Sequence, residues 1–116
     1  MKEPLVIEPS RMTFSIVNAE SNTARVAICG GLEMRMVGVF RRELTNLLRV
    51  HPARVEVDMS RLRFIDNAGV ELLLSFFRDL SAQGGGIVMH GLRPQPLESF
   101  KATLLEAALA TSDPVN

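Results

Sequence analysis

Apolar residues recur along this chain with two periods, near 2 and near 3.6, and the order of the switches predicts its elements. Phe14-Ser15-Ile16-Val17 and Ala24-Arg25-Val26-Ala27-Ile28-Cys29 alternate as strands, and the polar cluster Glu20-Ser21-Asn22-Thr23 between them reads as a hairpin turn. Gly30-Gly31 is expected to end the second strand. From Met34 to Val50 the period changes: Val37, Phe40, Leu44, Leu47 and Leu48 share one helix face, with Arg35, Arg42, Asn46 and Arg49 opposite. His51-Pro52 stops this helix, because proline disfavours helical backbone in the residue before it.

Arg54-Val55-Glu56-Val57-Asp58-Met59 alternates again as a third strand. Ser60-Arg61-Leu62-Arg63 reads as a turn, followed by Phe64-Ile65 and then Asp66-Asn67-Ala68-Gly69. Asp66 or Asn67 is a natural N-cap for a second helix reaching to about Gln83, and Gly84-Gly85-Gly86 punctuates its end. Ile87-Val88-Met89-His90 predicts a fourth, well-buried strand. Pro94-Gln95-Pro96 opens a third helix with Leu97, Phe100 and Leu104 inward. The order β-β-α-β-α-β-α implies an α/β fold: a mixed sheet of four to five strands packed with three to four helices. An extended segment at 1–13, one domain at 14–110 and a polar tail at 111–116 complete the expected organisation.

Composition narrows the function. With 116 residues the chain suits one domain, and 47% hydrophobic against 22% charged residues can bury a core. Thirteen basic and thirteen acidic side chains cancel. That balance argues against a nucleic-acid partner, whose phosphates demand a basic excess. Arg41-Arg42 is followed at once by Glu43 and reads as a solvated helix face. No charged segment leads into an apolar one as in a signal peptide, and no apolar run approaches the ~20 residues that span a bilayer. A cytoplasmic protein without direct membrane insertion is expected. Cys29, the only cysteine, reads as a buried thiol.

Catalytic patterns are scarce. His51 and His90 lack partners at metal-ligand spacing, so no metal site is expected. A Ser–His–Asp group meets in space and not in order, which leaves it open, but no nucleophile elbow is present. Neither phosphate-binding glycine motif occurs. No catalytic residue and no cofactor is therefore assigned.

Two features invite a partner. Asp66-Asn67-Ala68-Gly69 lies between a strand and a helix start, where backbone N–H groups and the helix dipole favour negative charge; the plain alternative is a cap at Asp66 and close packing at Gly69. On the helix that follows, Val70, Leu73, Leu74, Phe77 and Leu80 form an inner stripe opposite Glu71, Ser75, Arg78 and Asp79. Leu72 falls on the polar side, with Phe76 at the stripe's edge. Leu72 is then either a single exposed leucine or part of a contact patch. In the second case Leu72→Glu would leave the fold intact and abolish binding.

The stretch VEVDMSRLRFIDNAGVELLLSFFRDLSAQGGGIVMHGL resembles the sulphate transporter and anti-sigma factor antagonist (STAS) family. That family shows an apolar strand ending in D-L/M-S, then F-I/M-D-S-S/A-G-L/V, a helix, G-G and another strand. Gly31-Leu32-Glu33 and Leu92-Arg93-Pro94 resemble its entries to the first and third helices, and the likeness runs from about Phe14 to Leu105. After Leu105 eleven residues remain, too few for both the extra strand and the final helix many relatives add. The resemblance implies a bacterial, non-enzymatic binding module. In the antagonist branch, the residue after the corner aspartate is a serine or threonine, phosphorylated by a partner kinase of the histidine-kinase ATPase type that also sequesters a sigma factor. Here that phospho-acceptor position is Asn67, followed by Ala68, and neither carries a hydroxyl. The resemblance therefore implies an anti-sigma factor antagonist-like partner-switching protein without the usual switch. The alternative it implies is a small subunit of a lipid-trafficking ABC transporter that binds the transporter's ATPase subunit. Either partner is expected at Asp66, Asn67, Ala68, Gly69, Glu71, Leu72 and Phe76.

Overall fold

The computed structural model describes residues 10–111, apart from the side chains of residues 14, 17 and 104–111. Expectations for 1–9, for the inward side chain of Leu104 and for 112–116 lie outside the described residues. The element order is β1 (Arg11–Asn18), β2 (Thr23–Leu32), α1 (Met34–Arg49), β3 (Arg54–Ile65), α2 (Asn67–Ala82), β4 (Gly86–His90) and α3 (Pro94–Thr111). Among the described residues the sheet runs β1-β2-β3-β4, with β1 antiparallel to β2 and the pairs β2–β3 and β3–β4 parallel. The hairpin and the two βα crossovers thus take the expected directions, the crossover helices pack side by side, and α3 lies against β3 and α2.

Alternation sorts the sheet residues. Ala24, Val26 and Ile28 of β2 and Val55, Val57 and Met59 of β3 are buried in one core with Phe40, Leu44 and Leu47 of α1. The opposite parity, Arg25, Glu56, Asp58 and His90, forms a charged cluster. There the Arg25 guanidinium donates to Glu56 at 3.0 Å. Cys29 is buried, as its apolar run predicted.

Three local expectations need correction. First, Gly30-Gly31 does not end β2, which continues to Leu32. Second, the turn expected at Ser60–Arg63 is strand: β3 is continuous to Ile65. Ala27 pairs with Asp58 but Cys29 with Arg61, and Gly30 pairs with Leu62 but Gly31 with Phe64. β3 therefore carries one extra residue at each of two irregularities, and its buried positions shift from 55, 57 and 59 to 62 and 65. A broken period in sequence was a bulged strand in space. The first irregularity is stitched by Asp58, whose Oδ1 accepts from Ser60 N at 2.9 Å and Ser60 Oγ at 2.7 Å. Third, β4 is an edge strand and not a well-buried one: Ile87 and Val88 are half-buried and Met89 is exposed.

The helix ends follow local chemistry. After α1, His51 adopts a left-handed φ of 48° and its carbonyl accepts from Asn22 Nδ2 at 2.8 Å. After α2, Gly84 takes φ 84°, a conformation that glycine adopts without a Cβ penalty.

The Ser60 hydroxyl and then its N–H, both donating to Asp58, hold that carboxyl below its usual range. The folded chain binds this proton less readily than the unfolded chain, so the contribution is complete at neutral pH and disappears as pH falls through the lowered folded value. Asp58→Ala should lower stability by at most about 1 kcal/mol at neutral pH. Urea unfolding should show that difference closing as pH drops below the ordinary aspartate range, ~3.9.

Candidate functional site: the strand–helix corner

Where β3 meets α2, one carboxylate organises two helices. Asp66 is the N-cap of α2, and its Oδ1 accepts from Gly69 N at 2.9 Å. Its Oδ2 accepts from Met34 N, the first residue of α1, at 3.0 Å. Glu33, the N-cap of α1, makes no side-chain cap of its own, so Asp66 supplies the acceptor across space. Asp66 N in turn donates to the Leu32 carbonyl at 3.2 Å, which fixes the end of β2 to the start of α2.

Gly69 is buried beneath this junction. A Cβ there would run into the Leu32 carbonyl and would lie 2.7 Å from Ile65 Cγ1, so only hydrogen fits. Asn67 and Glu71 point to solvent and Ala68 is half-exposed. The first N–H groups of α2 lie in the turn that has no intrahelical acceptor. The expected cap and the expected close-packed glycine are both present, on a corner whose next residue is open.

Leu72 and Phe76 depart from expectation. Each is 3% exposed. They line a groove between α1 and α2 with Leu44, Leu48, Arg41 and Thr45 of α1 and Ser75 and Asp79 of α2. Of the expected inner stripe, Val70, Leu73 and Leu80 are buried, and the buried arc is rotated toward Leu72 and Phe76. α2 packs against α1 and α3 as well as the sheet, so its buried arc takes in Leu72 and Phe76, while Leu74 and Phe77 are only half-buried. Neither Leu72 nor Phe76 is available to a partner.

The apolar surface near the corner comes from elsewhere. Met34, bonded through its N–H to Asp66, is 73% exposed, and Phe64, two residues before Asp66, is 47% exposed. Sequence reading passed over both. The available signal was parity: Phe64 precedes the buried Ile65 on the strand, and Met34 falls outside the Phe40–Leu44–Leu47 face.

A further contact holds the corner from behind. Ile65 N donates to Gln95 Oε1 at 3.0 Å, and Gln95 Nε2 donates back to the Ile65 carbonyl at 3.1 Å. Ser99 Oγ donates to the same carbonyl at 3.2 Å. The first turn of α3 thereby pairs with the strand residue that leads into Asp66. Among the described residues no group of three His, Cys, Asp or Glu side chains could hold a metal. No described helix is long and apolar enough to cross a membrane.

Residues 15–111 match the protein family described as "Mlab, STAS domain". Among curated proteins none matches the chain. Among solved structures, the unphosphorylated anti-sigma factor antagonist SpoIIAA is similar at a TM-score of 0.70 and 21% identity, covering 91% of this chain and 100% of that one. SpoIIAA of Bacillus in its phosphorylated form is similar at 0.62 and 22%, covering 86% of each chain. An anti-sigma factor antagonist from Mycobacterium paratuberculosis is similar at 0.62 and 15%, covering 94% and 88%. At these identities the structures establish a shared fold.

Leu72→Glu should unfold the chain, since it removes a buried leucine and forces a carboxylate between two helices. The loss should exceed about 3 kcal/mol. Thermal melting by circular dichroism checks this: an unchanged melt would restore Leu72 to the surface.

Proposed function

This chain belongs to the STAS family, and on that premise we propose that it is a non-enzymatic, anti-sigma factor antagonist-like module that binds a partner kinase of the histidine-kinase ATPase type through the β3–α2 corner. The observation that carries the reading is the corner's construction. Asp66 ties the starts of α1 and α2 together, and Asn67 stands exposed on that rigid base. The contact surface consists of Asn67, Ala68 and Glu71 over the supporting Asp66 and Gly69, with Met34 and Phe64 as its apolar members. Burying an apolar side chain of that size at a contact contributes on the order of 1.5–3 kcal/mol, and every ~1.4 kcal/mol is a factor of ten in affinity.

Asn67 occupies the phospho-acceptor-equivalent position without a hydroxyl or a charge. A phosphate there would place about −1.5 to −2 charges in the middle of the contact. Asn67 keeps the corner in the unphosphorylated, binding-competent form, so if binding is regulated, residue 67 is not the switch.

The same missing hydroxyl favours a second reading, a small STAS subunit that docks on the ATPase subunit of a lipid-trafficking transporter, because that role needs no phosphate cycle. Tagged protein recovered from its own cells, with bound partners identified by mass spectrometry, separates the two: a histidine-kinase-type ATPase supports the first and a transporter ATPase the second.

Two variants test the site. Met34→Glu should retain the wild-type melting temperature, because Met34 buries little, and should reduce the captured partner by about tenfold; undiminished capture would move the interface off the corner. Asn67→Ser should become phosphorylated on residue 67 when incubated with ATP and the captured kinase, whereas wild type should not. A serine left unmodified would argue against the kinase as cognate partner.

A further inference from the structure

Although the chain is neutral overall, α1 is not. Residues 34–49 contain Arg35, Arg41, Arg42 and Arg49 against Glu43 alone, a net charge of +3, which leaves −3 on the remainder. Three of these arginines, Arg35, Arg42 and Arg49, recur every seven residues and are exposed opposite the buried Phe40, Leu44 and Leu47. A seven-residue step advances about 10.5 Å along a helix and drifts about 20° around it, so three arginines form a nearly straight row of about 21 Å.

Beside the arginines the surface is low on one side only, since the exposed Val39 and Asn46 flank the row on the other. Gly38 and Thr45, also seven residues apart, are exposed, and nothing lies within 4 Å of where a Gly38 Cβ would be. Positions 35, 38, 42, 45 and 49 thus follow the spacing at which one helix receives another, with a cation at each step and a small residue between. Arg35 Nε donates to Glu33 at 2.7 Å, while Arg42 and Arg49 have no ion-pair partner among the described residues. Arg41 lies off the row, at the groove between α1 and α2.

We infer that the outer face of α1 is a docking surface for an acidic helix of a partner protein, one carrying carboxylates at seven-residue spacing. Charge complementarity selects the occupant. Guanidinium forks pair geometrically with carboxylates, and the low positions at Gly38 and Thr45 admit the partner's backbone between successive pairs. This surface begins beside Met34 of the corner and extends the interaction area along α1.

The test uses the full chain and two fluorescein-labelled, stapled helical peptides of about 21 residues, long enough to span the row. Both contain three glutamates in an otherwise uncharged background. In one the glutamates fall every seventh residue; in the other they are distributed around the helix. Fluorescence anisotropy at low salt should show the wild-type chain binding the spaced peptide at least about fivefold more tightly, in keeping with a few exposed ion pairs acting together. Arg42→Glu should abolish that preference. Arg41→Glu, with the same change in net charge but off the row, should retain it. Equal binding of the two peptides, no binding of either, or loss of the preference in Arg41→Glu would each overturn the inference. So would row-dependent sedimentation with phosphatidylglycerol vesicles in place of peptide binding, which would assign the face to a lipid surface.

Discussion

Everything at the β3–α2 corner of this domain depends on a single carboxylate accepting hydrogen bonds from two helices at once. An isolated helix start leaves its first N–H groups without acceptors, and each helix ordinarily meets that need with its own cap. Here α1 makes no such side-chain bond at Glu33, and Asp66, 32 residues beyond Met34 in sequence, provides one for Met34 as well as for Gly69. Because α1 and α2 are consecutive crossovers on a parallel sheet, their starts lie at the same edge, and one short acidic side chain can reach both. The hydrogen-only space at Gly69 is what allows Asp66 and Leu32 to come this close.

That end of the molecule was legible in sequence to different depths. The corner could be read because its determinants are local: Asp66 precedes an apolar helix by the interval a cap requires, and Gly69 falls where a side chain could not. The helices and their C-terminal stops were readable for the same reason. Leu72 and Phe76 could not be placed, because the position of a buried arc depends on the neighbours a helix has, and α2 has three. The run Ser60–Arg63 misled for a related reason: two extra residues break the period of β3 without ending it, and only pairing with β2 reveals that the strand continues. The reach of Asp66 to Met34 and of Gln95 to Ile65 left no trace in spacing, since both are contacts between residues about thirty positions apart.

The surface divides by character as well as by position. The corner is small, acidic at Asp66 and Glu71, and flanked by Met34 and Phe64; the outer face of α1 is cationic; the free parity of the sheet mixes both signs in Arg25, Glu56, Asp58 and His90. A chain with zero net charge can therefore present sharply different surfaces to different neighbours. Apolar burial at the corner would govern how long a partner stays, and exposed charge on α1 would govern how fast it arrives.

The amide of Gln95 has a consequence for the sheet as a whole. β4 pairs with β3 only from Arg54 to Asp58, so among the described residues no strand pairs with the last stretch of β3 on that side. Bare backbone of this kind is a template on which an extended segment of another molecule can add, the first step toward aggregation. By offering Ile65 one donor and one acceptor, the Gln95 side chain imitates the missing strand at the terminal position and occupies the template. The terminal residue of β3 is thus closed to an added strand even though the fourth strand is short.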